Sequence, residues 1–153
     1  MSKSRAERDK AHNDSLVPAI AIKASEGKWV EFGPGVQMKL LRVSPETGQW
    51  SGLFRCAAGS VVPRHQHLGP SEYLMLEGKV EVRGGTDEGG VLATAGDYVY
   101  EPNGAIHDAN YFVEDSLLFT SSQGAMKFLD ENDNISFICD WRVIRDMEAG
   151  KKD

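Results

Sequence analysis

Turn-forming residues break this chain at short, regular intervals, and no other feature restricts its fold so strongly. Gly27, Gly33-Pro34-Gly35, the run from Pro45 to Gly48, Gly59, Leu68-Gly69-Pro70, Gly78, Gly84-Gly85, Gly89-Gly90, Pro102-Asn103-Gly104 and the polar run from Asp130 to Asn134 each mark a reversal. The segments between them are short, and many are rich in β-branched and aromatic residues. They predict strands over residues 28–32, 36–43, 49–58, 60–67, 73–76, 79–83, 91–94, 98–100, 106–111, 117–120, 126–130 and 135–138. Glu77-Gly78 reads as a tight hairpin between two of them. The apolar stretch 16–24 reads as a further edge strand, and residues 1–15 as a polar, disordered arm. Trp141, Val143, Ile144 and Met147 recur at roughly helical spacing, which predicts a short C-terminal helix. No βαβ alternation is present. The expectation is an all-β, single-domain sandwich or barrel spanning residues 16–153.

Composition narrows the function. A chain of 153 residues holds one core. Seventeen basic against 23 acidic residues give a net charge of −6, which argues against nucleic acid or an anionic membrane as partner. No apolar run reaches the roughly 20 residues a membrane helix needs, and the N-terminus lacks a signal-peptide core. A cytoplasmic protein is expected, with Cys56 and Cys139 reduced and buried. The run from Gly84 to Gly90 is too acidic to cradle a phosphate, and no Gly-x-Ser-x-Gly elbow appears.

Three of the four histidines cluster in two glycine- and proline-spaced segments. His65 and His67 stand two apart, so a strand aims both at one face. His107 follows the Pro102-Asn103-Gly104 turn. Imidazole is a neutral ligand for Fe, Zn, Ni or Cu, and a third histidine on a neighbouring strand closes a facial triad.

This spacing resembles the two motifs of the cupin superfamily, a double-stranded β-helix with a jelly-roll-like barrel. Gly59, five residues, His65, His67 and then Gly78 match the first; Gly96, five residues, Pro102, Gly104 and His107 match the second, with Tyr111 where that motif carries Asn. The first motif also carries a glutamate ligand, and here two counts disagree. Counting back from Gly78 puts Ser71 at that position; counting forward from His67 allows Glu72. The count from Gly78 is preferred, because a hairpin pins register and the Leu68-Gly69-Pro70 turn can absorb a residue. One residue turns a side chain to the opposite face of a strand. Glu72 is therefore expected to point away from the metal and Tyr73 to face it, leaving three histidines and no carboxylate.

A closer resemblance lies in Ser44-Pro45-Glu46-Thr47, Gly59-Ser60, His65-x-His67-x-Gly69-Pro70-x-Glu72-Tyr73, Glu81-Val82-Arg83-Gly84-Gly85, Glu88-Gly89-Gly90 and Gly104-Ala105-x-His107. Together these are similar to the acetylacetone-cleaving (β-diketone) dioxygenases, and the run Gly96 to Pro102 also to the 2,4'-dihydroxyacetophenone dioxygenases. The resemblance implies an enzyme that binds Fe(II) through His65, His67 and His107 and takes a small-molecule substrate and dioxygen. It implies that Tyr73, Arg83 and Glu101 form the catalytic set lining or gating the pocket, with Glu101 orienting a ligand histidine. Read without it, Arg83 is an ion-pairing surface residue and Tyr73 a core residue. The diketone enzymes' aromatic walls correspond here to Val62, Leu118 and Ser122, which points to a substrate other than acetylacetone. Zn or Ni can replace Fe(II) in such a site. Two other readings stay open: a Zn-binding sensor cupin without turnover, and a non-oxidative cupin lyase, isomerase or hydrolase. A homodimer or homotetramer is expected, with residues 16–24 at the interface.

Overall fold

Strands account for most of the regular structure in the computed structural model, which describes residues 2–151. Six strands, β1 (Val30–Gly33), β2 (Val36–Ser44), β3 (Gln49–Cys56), β6 (Ser71–Glu77), β9 (Tyr98–Glu101) and β12 (Ser116–Ser122), form one sheet in the order β1-β2-β3-β12-β6-β9. Strands β10 (Ile106–His107), β5 (His65–His67), β13 (Met126–Leu129) and β14 (Ile135–Cys139) form a second sheet in that order. A third holds β4 (Val61–Val62), β11 (Asn110–Phe112), β7 (Lys79–Val82) and β8 (Val91–Thr94). Inward residues of all three sheets line one interior cavity, so the sheets close a barrel around it.

Alternation is cleanest on β6 and β12. Ser71, Tyr73 and Met75 are buried while Glu72 and Leu74 are exposed; Ser116, Leu118, Thr120 and Ser122 are all buried. Aligned rows follow from the register. Trp50, Ser122, Ser71 and Glu101 stand side by side across four strands. The next inward row is Gly52, Thr120, Tyr73 and Val99, and the one beyond brings Phe54, Leu118 and Met75 together. The inner face of the large sheet thus grades from polar to apolar along its strands.

The C-terminal helix forms as expected, as α2 (Trp141–Glu148). The Asp140 side chain accepts from the backbone of Arg142 and Val143 at its N-terminus. It packs on β1, β2 and β14 and buries Ile144 completely. Both cysteines are free and buried, and burial pushes each thiol up to about 12, with Asp140 adding to the effect at Cys139.

Three expectations need correction. Residues 16–24 pair with no strand; Leu16, Val17 and Ile20 lie exposed on an extended segment. Within the arm, α1 (Arg5–Asn13) is a helix closed by a capping box between Ser4 and Glu7, although it buries no residue. Most importantly, Glu77-Gly78 is not a hairpin. Strand β6 pairs with β12 and β9, and β7 with β11 and β8, so the chain changes sheet at Gly78. Gly78 has φ 84°, and a Cβ there would stand 2.3 Å from both the Asp115 carbonyl oxygen and the Ser116 Oγ. The same kind of crossing splits the predicted strands 60–67 and 106–111 at Pro63-Arg64 and Asp108-Ala109.

Since neither the backbone angle nor the space at Gly78 accommodates a side chain, Gly78→Ala should destabilise the fold by about 2 kcal/mol or more. Denaturant unfolding of the variant against the wild type measures this.

Candidate metal centre

The histidines meet because two short strands pair in one register. His65 on β5 lies opposite His107 on β10, and His67 follows two positions along on the same face. All three are buried, at 3%, 4% and 4% exposure. The Nε2 of His67 lies 3.2 Å from that of His65 and 3.3 Å from that of His107. On the far side of two rings, His65 Nδ1 donates to the Pro63 carbonyl at 2.7 Å and His107 Nδ1 donates to the Asp108 carbonyl at 3.0 Å. A carbonyl oxygen only accepts, so each neutral ring keeps its hydrogen on Nδ1 and a bare lone pair on Nε2.

That arrangement fits a metal ion. Two imidazole nitrogens at about 2.0–2.1 Å from one ion stand roughly 2.8–3.4 Å apart for angles between octahedral and tetrahedral, and the two separations from His67 fall there. Without an ion, a single hydrogen on His67 Nε2 is all that can lie among three nitrogens, and at least one lone pair faces another. Among the described residues, these three form the group of ligand-type side chains close enough to share an ion. Burial, followed by the neighbouring histidines, lowers His65 to about 4 and His67 to about 3, so both rings are neutral at physiological pH.

No carboxylate joins them. Ser71 points inward and bonds Ser122 Oγ at 2.6 Å. Glu72 points outward and accepts from the Tyr98 hydroxyl at 2.6 Å. The register that turns Ser71 inward comes from β12 and β9 on either side of β6, not from a hairpin at Gly78. Glu101 is buried, on the polar row beside Ser71, and pairs with Arg83, whose side chain remains 44% exposed. Its Oε2 lies 3.9 Å from His107 Nε2, beyond hydrogen-bond range. The orienting bonds come instead from the backbone of Pro63 and Asp108.

The cavity holds about 70 Å³, room for a small molecule or several waters. Tyr73, Glu101, Val62, Leu118 and Ser122 line it with the histidines, whereas Arg83 stands behind Glu101. Three buried polar atoms lack partners among the described residues, Trp50 Nε1, Tyr73 OH and Asn110 Oδ1, and all three residues belong to this lining. Burial and then Glu101 raise the Tyr73 phenol above its ordinary range, so it stays protonated. Asn110 and Thr120 were not singled out from the sequence, since their polar chemistry alone does not reveal that they face inward.

A closed β barrel with three converging histidines is a cupin with a cluster able to hold a metal ion. The chain belongs to the family of ChrR cupin-like domains, whose model matches residues 17–127. It is 38% identical over 125 residues to the acetylacetone-cleaving enzyme of Acinetobacter johnsonii, covering 78% of this chain and 82% of that one. The crystal structure of the acetylacetone dioxygenase from the same organism superposes with a TM-score of 0.84 at 34% identity, over 90% of this chain and 96% of that one. The DNA damage-repair/toleration protein DRT102 of Arabidopsis thaliana is 33% identical over 119 residues, which cover 77% of this chain and 37% of that longer protein.

Two outcomes follow. In the unfolded chain both histidines titrate near 6.5; in the fold His65 and His67 resist protonation until about 4 and 3. As pH falls, the unfolded state takes up protons first, so this contribution to stability is complete above about 6.5 and is lost progressively toward 4. The denaturation midpoint of metal-free protein should therefore drop between pH 7 and pH 5. Second, Glu72→Ala should keep its metal and His107→Ala should lose most of it, as read by metal content after dialysis.

Proposed function

We propose that this protein is a mononuclear non-haem Fe(II) dioxygenase. It cleaves a carbon–carbon bond in a small β-diketone or hydroxyketone bound as its enolate. The observation that carries this reading is the donor set: three neutral imidazoles with no carboxylate, in a chain 38% identical to an acetylacetone-cleaving enzyme. An Fe(II) ion held there supplies uncompensated dipositive charge, open coordination positions and redox access to dioxygen.

The chain's own groups account for the rest. The Pro63 and Asp108 carbonyls hold His65 and His107 in the tautomer that presents Nε2. Because no ligand carries charge, and Arg83 neutralises Glu101, the site favours an anionic chelator such as an enolate. Tyr73, kept protonated, is a hydrogen-bond donor available to a substrate oxygen. Phe54, Leu118 and Val62 supply apolar surface to the cavity wall. In the net reaction dioxygen and the diketone give a carboxylate and a carbonyl product, with both oxygen atoms retained in the products and no organic cofactor. The serine pair and the unpartnered Asn110 make this cavity more polar than a purely hydrocarbon substrate needs, which favours substrates bearing further oxygen groups over acetylacetone.

Anaerobic reconstitution with Fe(II), followed by oxygen and a panel of β-diketones and hydroxyacetophenones, tests the reading. Oxygen uptake with stoichiometric carboxylate formation is the expected outcome. No uptake with any member of the panel would overturn it, and turnover without oxygen would point to non-oxidative chemistry.

A further inference from the structure

Two facing gaps interrupt the barrel wall beside the histidines. The chain runs from β4 to β5 through Pro63-Arg64, and from β10 to β11 through Asp108-Ala109. On either side of these dipeptides the strands pair: Val62 with Asn110, and His65 with His107. Between them no backbone hydrogen bond joins the two dipeptides. The interruption has a use, because it leaves the Pro63 and Asp108 carbonyls free to accept from His65 Nδ1 and His107 Nδ1. It also removes the ladder bonds that would fix those carbonyls in place.

The outward face supplies a substitute. Arg64 Nη1 donates to Asp108 Oδ1 at 2.9 Å, directly across the gap. Its Nε donates to Asp133 Oδ1 at 2.8 Å, in the turn between β13 and β14, and its carbonyl accepts from Leu129 N at 3.0 Å. That turn is itself ordered: Asp130 accepts from the backbone of Asn132 and Asn134, and Asp133 adopts φ 62°. Arg64 is thus bonded at once to the segment before His65, the segment after His107, and the hairpin that flanks β5. Only a planar guanidinium can engage the two acids through separate nitrogens; a lysine has one.

We infer that Arg64, with Asp108 and Asp133, is a positioning clamp on the outside of the barrel that sets how tightly the three histidines hold their metal. It contacts neither metal nor substrate. It acts through the two carbonyls that orient the rings, as outer partners of metal-binding histidines do. Its side chains are 33% to 71% exposed, so the clamp is sensitive to ionic strength.

Zinc-loaded protein provides the test, since zinc release does not depend on turnover or on the identity of the native metal. Chelator-driven release is followed for wild type, Arg64→Ala, Arg64→Lys, Asp108→Asn and the Arg64→Ala/Asp108→Asn double variant, alongside melting of each metal-free protein. The expectation is release roughly three- to tenfold faster in Arg64→Ala, with Arg64→Lys rescuing only in part. Asp108→Asn should show a similar increase, the double variant should be no faster than the faster single one, and metal-free melting should be nearly unchanged. Added salt should speed release from wild type and leave Arg64→Ala unaffected. Wild-type release rates in the variants, strictly additive effects, or acceleration that merely tracks lost melting temperature would each overturn the clamp. Wild-type protein that takes up no zinc would overturn the metal site itself.

Discussion

Three imidazole nitrogens brought toward a common point leave lone pairs facing one another, and much of the barrel's interior arrangement serves to hold them there. The convergence requires that β5 and β10 pair in a register placing His65 opposite His107. It requires that Pro63 and Asp108 turn their carbonyls away from the ladder and toward the rings. It also requires burial, which keeps His65 and His67 neutral and so available as ligands. An ion held at the centre would convert the repulsion between those lone pairs into three bonds. Apolar packing elsewhere in the barrel, including fully buried Met38, Trp50 and Met75, holds the frame against which this small cluster is set.

Electrostatic restraint distinguishes the site. Glu101, which lines the cavity, is neutralised by Arg83 from the solvent side, and Glu72 points outward and bonds Tyr98 at the surface. The polar row of Trp50, Ser122, Ser71 and Glu101 and the apolar row of Phe54, Leu118 and Met75 then give a substrate an orientation within the cavity.

The histidine cluster and the barrel could be read from the sequence because both depend on local rules. A strand sends residues two apart to one face, and glycine and proline mark where strands end. Periodicity also sets Ser71 and Glu72 on opposite faces, but the choice of Ser71 as the inward one rests on a hairpin at Gly78 that the structure does not contain. What escaped was pairing between distant segments. Glu77-Gly78 has the composition of a hairpin, yet the glycine serves a sheet crossing whose crowding comes from Asp115 and Ser116, far along the chain. Residues 16–24 have the composition of a strand but pair with no strand among the described residues. The ring-orienting acceptors are backbone atoms, which any residue type supplies, so no side-chain pattern could have marked Pro63 or Asp108. Glu101 lines the cavity, but its partner is Arg83, which follows β7 with a left-handed φ of 56° and reaches it from the solvent side.

The placement of β6 carries one more consequence. Because this strand is paired along both edges, with β12 and with β9, Glu72 cannot be brought inside by sliding the strand without breaking two ladders at once. Which residues of β6 face the cavity is therefore fixed by pairing on both edges, and not by any adjustable movement of the backbone. The chemical character of this part of the wall then rests on the side chain at position 71 alone, and an exchange there alters the lining while the strands stay where they are.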